Sequence, residues 1–88
     1  MPKIVATFQV VDVDRWLSFK EENAAIVAPF ATNVTTFVAL DGSNNVGMIM
    51  DVHDMAGMQA GMASPSPEML ATEERHGVIR PIIAYMEK

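Results

Sequence analysis

The chain has 88 residues, enough for one domain, because two halves would each be too small to bury a core without staples. It contains no cysteine, which excludes disulfides, thiolate catalysis and cysteine-held zinc or iron–sulfur centres. Half of it is hydrophobic, and the net charge of -5 with no Lys/Arg cluster argues against nucleic acid or anionic membranes as partners.

Residues Lys3 to Val11 alternate, with Ile4, Ala6, Phe8 and Val10 on one face and Val5, Thr7 and Gln9 on the other, which predicts a strand. Asp12 is placed to cap a helix in which Val13, Trp16, Leu17 and Phe19 recur at helical spacing, and the helix is expected to run to about Ala28. Pro29 and Thr32-Asn33 end it, and the β-branched stretch Val34 to Leu40 predicts a second strand. The segment Asp41-Gly42-Ser43-Asn44-Asn45 turns the chain back into a third strand over Val46 to His53, forming a hairpin. Asp54 then caps a short helix carrying Met55, Met58 and Met62 on one stripe, interrupted at Ser64 to Pro67. Ser66 as N-cap, Pro67 at the first helical position and Gly77 as terminator frame another helix. Val78 to Met86 predicts a last strand, placed at a sheet edge or starting late because Pro81 cannot donate to a ladder.

The order β-α-β-β-α-β predicts an α+β ferredoxin-like sandwich over residues 1–88, a four-stranded antiparallel sheet with its helices on one face. The other face would leave Val5, Phe37, Ala39, Ile49 and Ile83 in water on a monomer, so a homodimer is expected. No apolar run reaches the roughly 20 residues of a membrane helix, and the amino terminus reads as a strand rather than a leader, so a soluble cytoplasmic protein is expected.

Val11-Asp12-Val13-Asp14-Arg15-Trp16-Leu17 opening the first helix, the Val46 to Asp54 strand with its acidic end, and Ser66-Pro67-Glu68-Met69 followed by His76-Gly77-Val78 give the chain its resemblance. It resembles the dimeric α/β-barrel superfamily, in particular small proteins similar to antibiotic-biosynthesis monooxygenases and stress-responsive barrel proteins. That resemblance implies two sheets packed face to face around a cavity, and activities that range from monooxygenase, cyclase and isomerase to none. Haem-degrading relatives use an axial histidine, a first-strand asparagine and a third-strand tryptophan. His76 alone fits the first role, while Thr7 and Gln9 stand in the first strand and Trp16 lies in the first helix.

Asp51 and His53 lie two apart on the third strand, so both side chains are expected on the face that lines the dimer cavity. A carboxylate beside an imidazole orients it and raises its basicity, giving a general base that needs no cofactor. The same two residues also suit a solvated strand end, and both readings stand. Thr7 and Gln9, on a strand taken as its parallel neighbour, would supply hydrogen bonds to the same ligand, and Ile49 an apolar wall. Tyr85 and Arg80 on the last strand are within reach of a cavity as acid or anion partner. His76 at a helix end suits capping of the last carbonyls. Six of the eight methionines fall between Met48 and Met69 and are read as core, and Gly57 with Gly61 as a close approach to a neighbouring element. The histidines show no HxH, HxxxH or HExxH spacing, so neither metal nor cofactor is expected.

Three functions follow. The leading one is binding of a small apolar or aromatic molecule in a sheet-face cavity lined by Thr7, Gln9, Ile49, Asp51 and His53. The second is a cofactor-independent monooxygenase, cyclase or isomerase for a polyketide-like or quinol-like substrate, with His53 as base, Asp51 as its orienter and Tyr85 as acid. The third is a structural dimer with a filled interface.

Overall fold

The computed structural model describes residues 2–88. Eight elements follow one another: β1 (Lys3–Val10), α1 (Val13–Leu17), α2 (Lys20–Val27), β2 (Ala31–Val38), β3 (Asn45–Val52), α3 (Met55–Ala63), α4 (Pro67–His76) and β4 (Val78–Met86). The strands form one sheet in the order β2-β3-β1-β4, every pair antiparallel, which is the ferredoxin-like arrangement. Among the described residues no helix is long and apolar enough to cross a membrane.

The period-2 pattern places the faces. Ile4, Ala6 and Val10 of β1 and Val46, Met48, Met50 and Val52 of β3 are buried under the helices with Trp16 and Ala31. Trp16, 1% exposed, meets Phe8 edge-on at 5.5 Å between ring centroids, the geometry favoured by opposed ring quadrupoles. Truncating such a buried indole costs about 3–5 kcal/mol.

The caps form as their sequence requires. Asp12 accepts from the Arg15 amide at 3.1 Å, Asp54 from Gly57 at 2.9 Å and Ser66 from Met69 at 3.1 Å, while Gly77 ends α4 at φ 77°. β4 is an edge strand bonded only to β1, with a register shift beside Pro81 between the Gln9–Ile79 and Thr7–Ile83 pairs.

Four expectations need correction. The first long helix is two pieces, because Ser18 Oγ bonds back to the Arg15 carbonyl and Phe19 leaves helical geometry at φ -102°, ψ 18°. β2 starts at Ala31, three residues early, since the chain absorbs Asn33 as an irregularity at φ 56° and keeps pairing with β3. β1 and β3 are antiparallel neighbours and not parallel ones, because the α1–α2 segment makes β2 run with β1 and the hairpin then reverses β3. The two helical glycines do not mark a close neighbour: a Cβ on Gly57 would lie 2.5 Å from Oδ2 of its own cap, Asp54, and one on Gly61 meets nothing within 4 Å.

Candidate functional site

Two concave regions lie on opposite faces of the sheet. The first is a hollow of about 730 Å³ on the open face, walled by Val5, Thr7, Gln9, Phe37, Ile49 and Ile83. Pairing explains the set: Thr7 stands opposite Ile83 on one side and Gly47 on the other, and Val5 opposite Tyr85 and Ile49. The parity of β2 and β4 is thereby settled, with Phe37 and Ala39 on the same side as Ile79 and Ile83. Phe37, Ile83 and Tyr85 are each about half exposed.

Thr7, Gln9 and Ile49 therefore come together, and Asp51 and His53 do not join them as a pair. The antiparallel register sets Lys3, and not Thr7 or Gln9, opposite Asp51. Asp51 Oδ1 accepts from Lys3 Nζ and Oδ2 from Asn33 Nδ2, both at 2.9 Å. The Asn33 hydrogen bond, followed by that from Lys3, holds the Asp51 carboxyl below the ordinary aspartate value. β3 ends at Val52, so His53 lies past the strand, where its amide donates to the Phe30 carbonyl and its Nε2 lies 3.3 Å from the Ala28 carbonyl oxygen. Tyr85 sits on the exposed edge strand, and Arg80 pairs with Glu73 at 2.8 Å.

The second region is a cavity of about 190 Å³ between the sheet and the helices. Phe8, Trp16 and the methionines Met48, Met50, Met58, Met62 and Met69 line most of it, and Asn23, Thr72, Glu73, Arg80 and His76 supply its polar groups. Of the methionines that read as core, Met48 and Met50 are buried in it, Met55 and Met58 pack against it, and Met62 and Met69 are half-buried on the helix side of the cavity. Thioethers are polarisable and flexible, so this wall adapts to the outline of a guest and favours aromatic edges.

His76 is the one buried polar residue among those described, 1% exposed. Its ring stacks on Phe19, centroids 4.2 Å apart and planes 13° from parallel. Its Nε2 has no hydrogen-bond partner and lies 3.5 Å from Glu22 Oε2, an ion-pair distance too slack for a hydrogen bond. Arg75 grips Glu22 with both terminal nitrogens, and these hydrogen bonds hold the Glu22 carboxyl below its ordinary value. The expected capping role of His76 falls to another residue: Arg15 donates to the carbonyls of Glu74 and Arg75 at 3.1 and 3.0 Å, bringing its cation to the negative end of α4. The sequence carries no signal for the Glu22–His76 approach, since the partners lie on different helices far apart in the chain.

The backbone arrangement has solved counterparts. SnoaB, a cofactor-independent oxygenase from Streptomyces nogalater, superposes with TM-score 0.67 at 20% identity over 99% of this chain and 92% of its own. An antibiotic biosynthesis monooxygenase superposes with TM-score 0.64 at 15% identity over 100% of this chain and 97% of its own. The chain shares the ferredoxin-like backbone fold of these two proteins. This agrees with the resemblance carried by the sequence motifs. No family model and no curated protein matches the chain in sequence. At these identities the likeness is one of fold, and chemistry has to be argued from the cavity itself.

Proposed function

We propose that the protein is a homodimer, joined through its open sheet faces, in which each protomer binds a small aromatic molecule in the cavity between sheet and helices. The observation that carries the reading is that cavity: about 190 Å³ of apolar space beside Trp16 and five methionines, with a buried imidazole in its wall. A void of roughly 150 Å³ already takes benzene, so a single-ring guest fits this one.

The second copy has its own support. Phe37, Ile79, Ile83 and Tyr85 are large and exposed on one face, and two charges beside them are paired, Arg80 with Glu73 and Asp51 with Lys3. A monomer rarely leaves so continuous an apolar patch in water. In this reading Thr7, Gln9 and Ile49 meet the partner protomer, and the open-face hollow is closed by it. Oxygenation of the bound aromatic is the second reading, favoured by the fold shared with SnoaB, described as a cofactor-independent oxygenase.

Trp16 is the sole tryptophan and lines the cavity, so its fluorescence reports occupancy. Titration with nitrobenzene, a quenching probe, is expected to quench it saturably, with one site per protomer, and native mass spectrometry is expected to give twice the chain mass. Quenching that stays linear in probe concentration would sink the binding reading, and a monomer would sink the dimer.

A further inference from the structure

We propose that α2 is a gate over the cavity between sheet and helices, hinged at Ser18-Phe19 and at Ala28-Pro29 and latched to the end of α4 by Glu22 and Phe19. The proposal rests on the reading that this cavity holds a small aromatic molecule, and it names the element that moves to let that molecule in and out.

Anchoring separates α2 from its neighbours. α1 is fixed by Trp16 in the core and by Arg15 on the carbonyls of Glu74 and Arg75. The chain after α2 is fixed at Phe30, whose carbonyl accepts from the amides of His53 and Asp54 at 2.8 and 3.1 Å. Between these points none of the eight residues of α2 is buried, and the helix starts at Phe19 without a side-chain cap. Only Glu22, Asn23, Ile26 and Val27 turn inward, each half-buried, and the last three of them line the cavity. An element that buries so little apolar surface opens at a far smaller free energy than the whole domain. Helical geometry is already interrupted at Ser18-Phe19, and Pro29 ends it at the other side, so α2 can swing without breaking a continuous helix.

The latch gathers at the Phe19 end. Phe19 stacks on His76 with ring centroids 4.2 Å apart, and the Arg75 guanidinium carbon lies 5.5 Å from the Phe19 centroid. One turn on, Glu22 accepts from Arg75 through both carboxylate oxygens, Oε2 at 3.0 Å from Nη1. The Arg75 and Glu22 side chains are 52% and 36% exposed, so water and salt reach the pair and its release strands no charge in apolar surroundings. His76 opposes the latch. With α2 closed its Nε2 is buried without a hydrogen-bond partner, and lifting Phe19 and Glu22 away gives that nitrogen water. The closed arrangement therefore carries an unfavourable contact that opening relieves, which keeps the open one within reach.

Stopped-flow quenching of Trp16 by nitrobenzene tests the gate. Glu22→Ala removes the ionic part of the latch and is expected to raise the association and dissociation rates together, each about tenfold, leaving affinity unchanged because the latch is made with and without a guest. Added sodium chloride is expected to speed both rates in the native protein and neither in Glu22→Ala. Glu21→Ala, on the exposed side of the same helix, is expected to keep the native rates. Amide hydrogen exchange in Glu22→Ala is expected to quicken across α2 and to stay native in the sheet. If nitrobenzene does not bind the native protein, the cavity reading itself fails and the gate has no guest to admit. If it binds and Glu22→Ala keeps the native rates, the guest enters elsewhere and α2 is not the gate. Faster rates with faster exchange throughout the sheet would mean that the variant loosens the whole fold, and the gate would fall with that result too.

Discussion

Lys3 and Asp51 face each other across the first and third strands, Nζ to Oδ1 2.9 Å, on the same row as the open sheet face. With Asn33 Nδ2 on the other carboxylate oxygen, the pair closes the polar end of that face. Because the folded Asp51 carboxyl ionises below the ordinary value of 3.8, its contribution to stability is fully present above that pH and is lost as pH falls through the lowered folded value. Unfolding followed against pH is expected to show a steeper acid loss for the native protein than for Asp51→Asn. Superimposable acid limbs would contradict the pairing.

The two helical glycines of α3 are expected to respond in opposite directions to alanine. At Gly61 a methyl group meets nothing within 4 Å, so Gly61→Ala gains about 0.5–1 kcal/mol from reduced backbone freedom in the unfolded chain. At Gly57 the methyl would come 2.5 Å from Asp54 Oδ2, forcing the cap to shift, and Gly57→Ala loses about 1 kcal/mol in spite of its better helix propensity. Equal shifts in denaturation midpoint for the two variants would refute this account of α3.

Ile83 pairs with Thr7 in the middle of the open face and is 47% exposed. Ile83→Glu puts two unpaired charges into the proposed dimer, one from each copy, where like charges across a dry interface cost several kcal/mol. Sedimentation is expected to show the native dimer turning to monomer at the same protein concentration, with the far-ultraviolet spectrum unchanged. A variant that sediments as the native protein does would remove the sheet face from the interface.

The fold was legible because its punctuation is chemical and local. Asp12, Asp54, Ser66-Pro67 and Gly77 each act within three or four residues of themselves, and alternation from Ile4 to Val10 and from Val46 to Val52 assigns faces without tertiary knowledge. The same locality explains what was not legible. Asp51 and His53 read as a pair because spacing places them near one another, yet Asp51 is taken by Lys3 and by Asn33, which reaches it through an irregular, positive-φ position in β2. His76 read as a capping residue because its own helix offered carbonyls; Arg15, from α1, takes them first. The approach of Glu22 and Phe19 to His76 depends on the break at Ser18-Phe19, where a continuous helical pattern in sequence becomes two helices in space.

The central claim is that a small aromatic molecule occupies the space between sheet and helices rather than the open face. The methionine methyls test it directly, because Met48, Met50, Met58, Met62 and Met69 line that cavity while Met86 lies exposed on β4. With methyl-labelled methionine, titration of nitrobenzene is expected to shift several of the five cavity signals together, along one saturation curve, and to leave Met86 in place. Saturable binding that leaves all five cavity methyls unmoved would put the guest elsewhere and contradict the account.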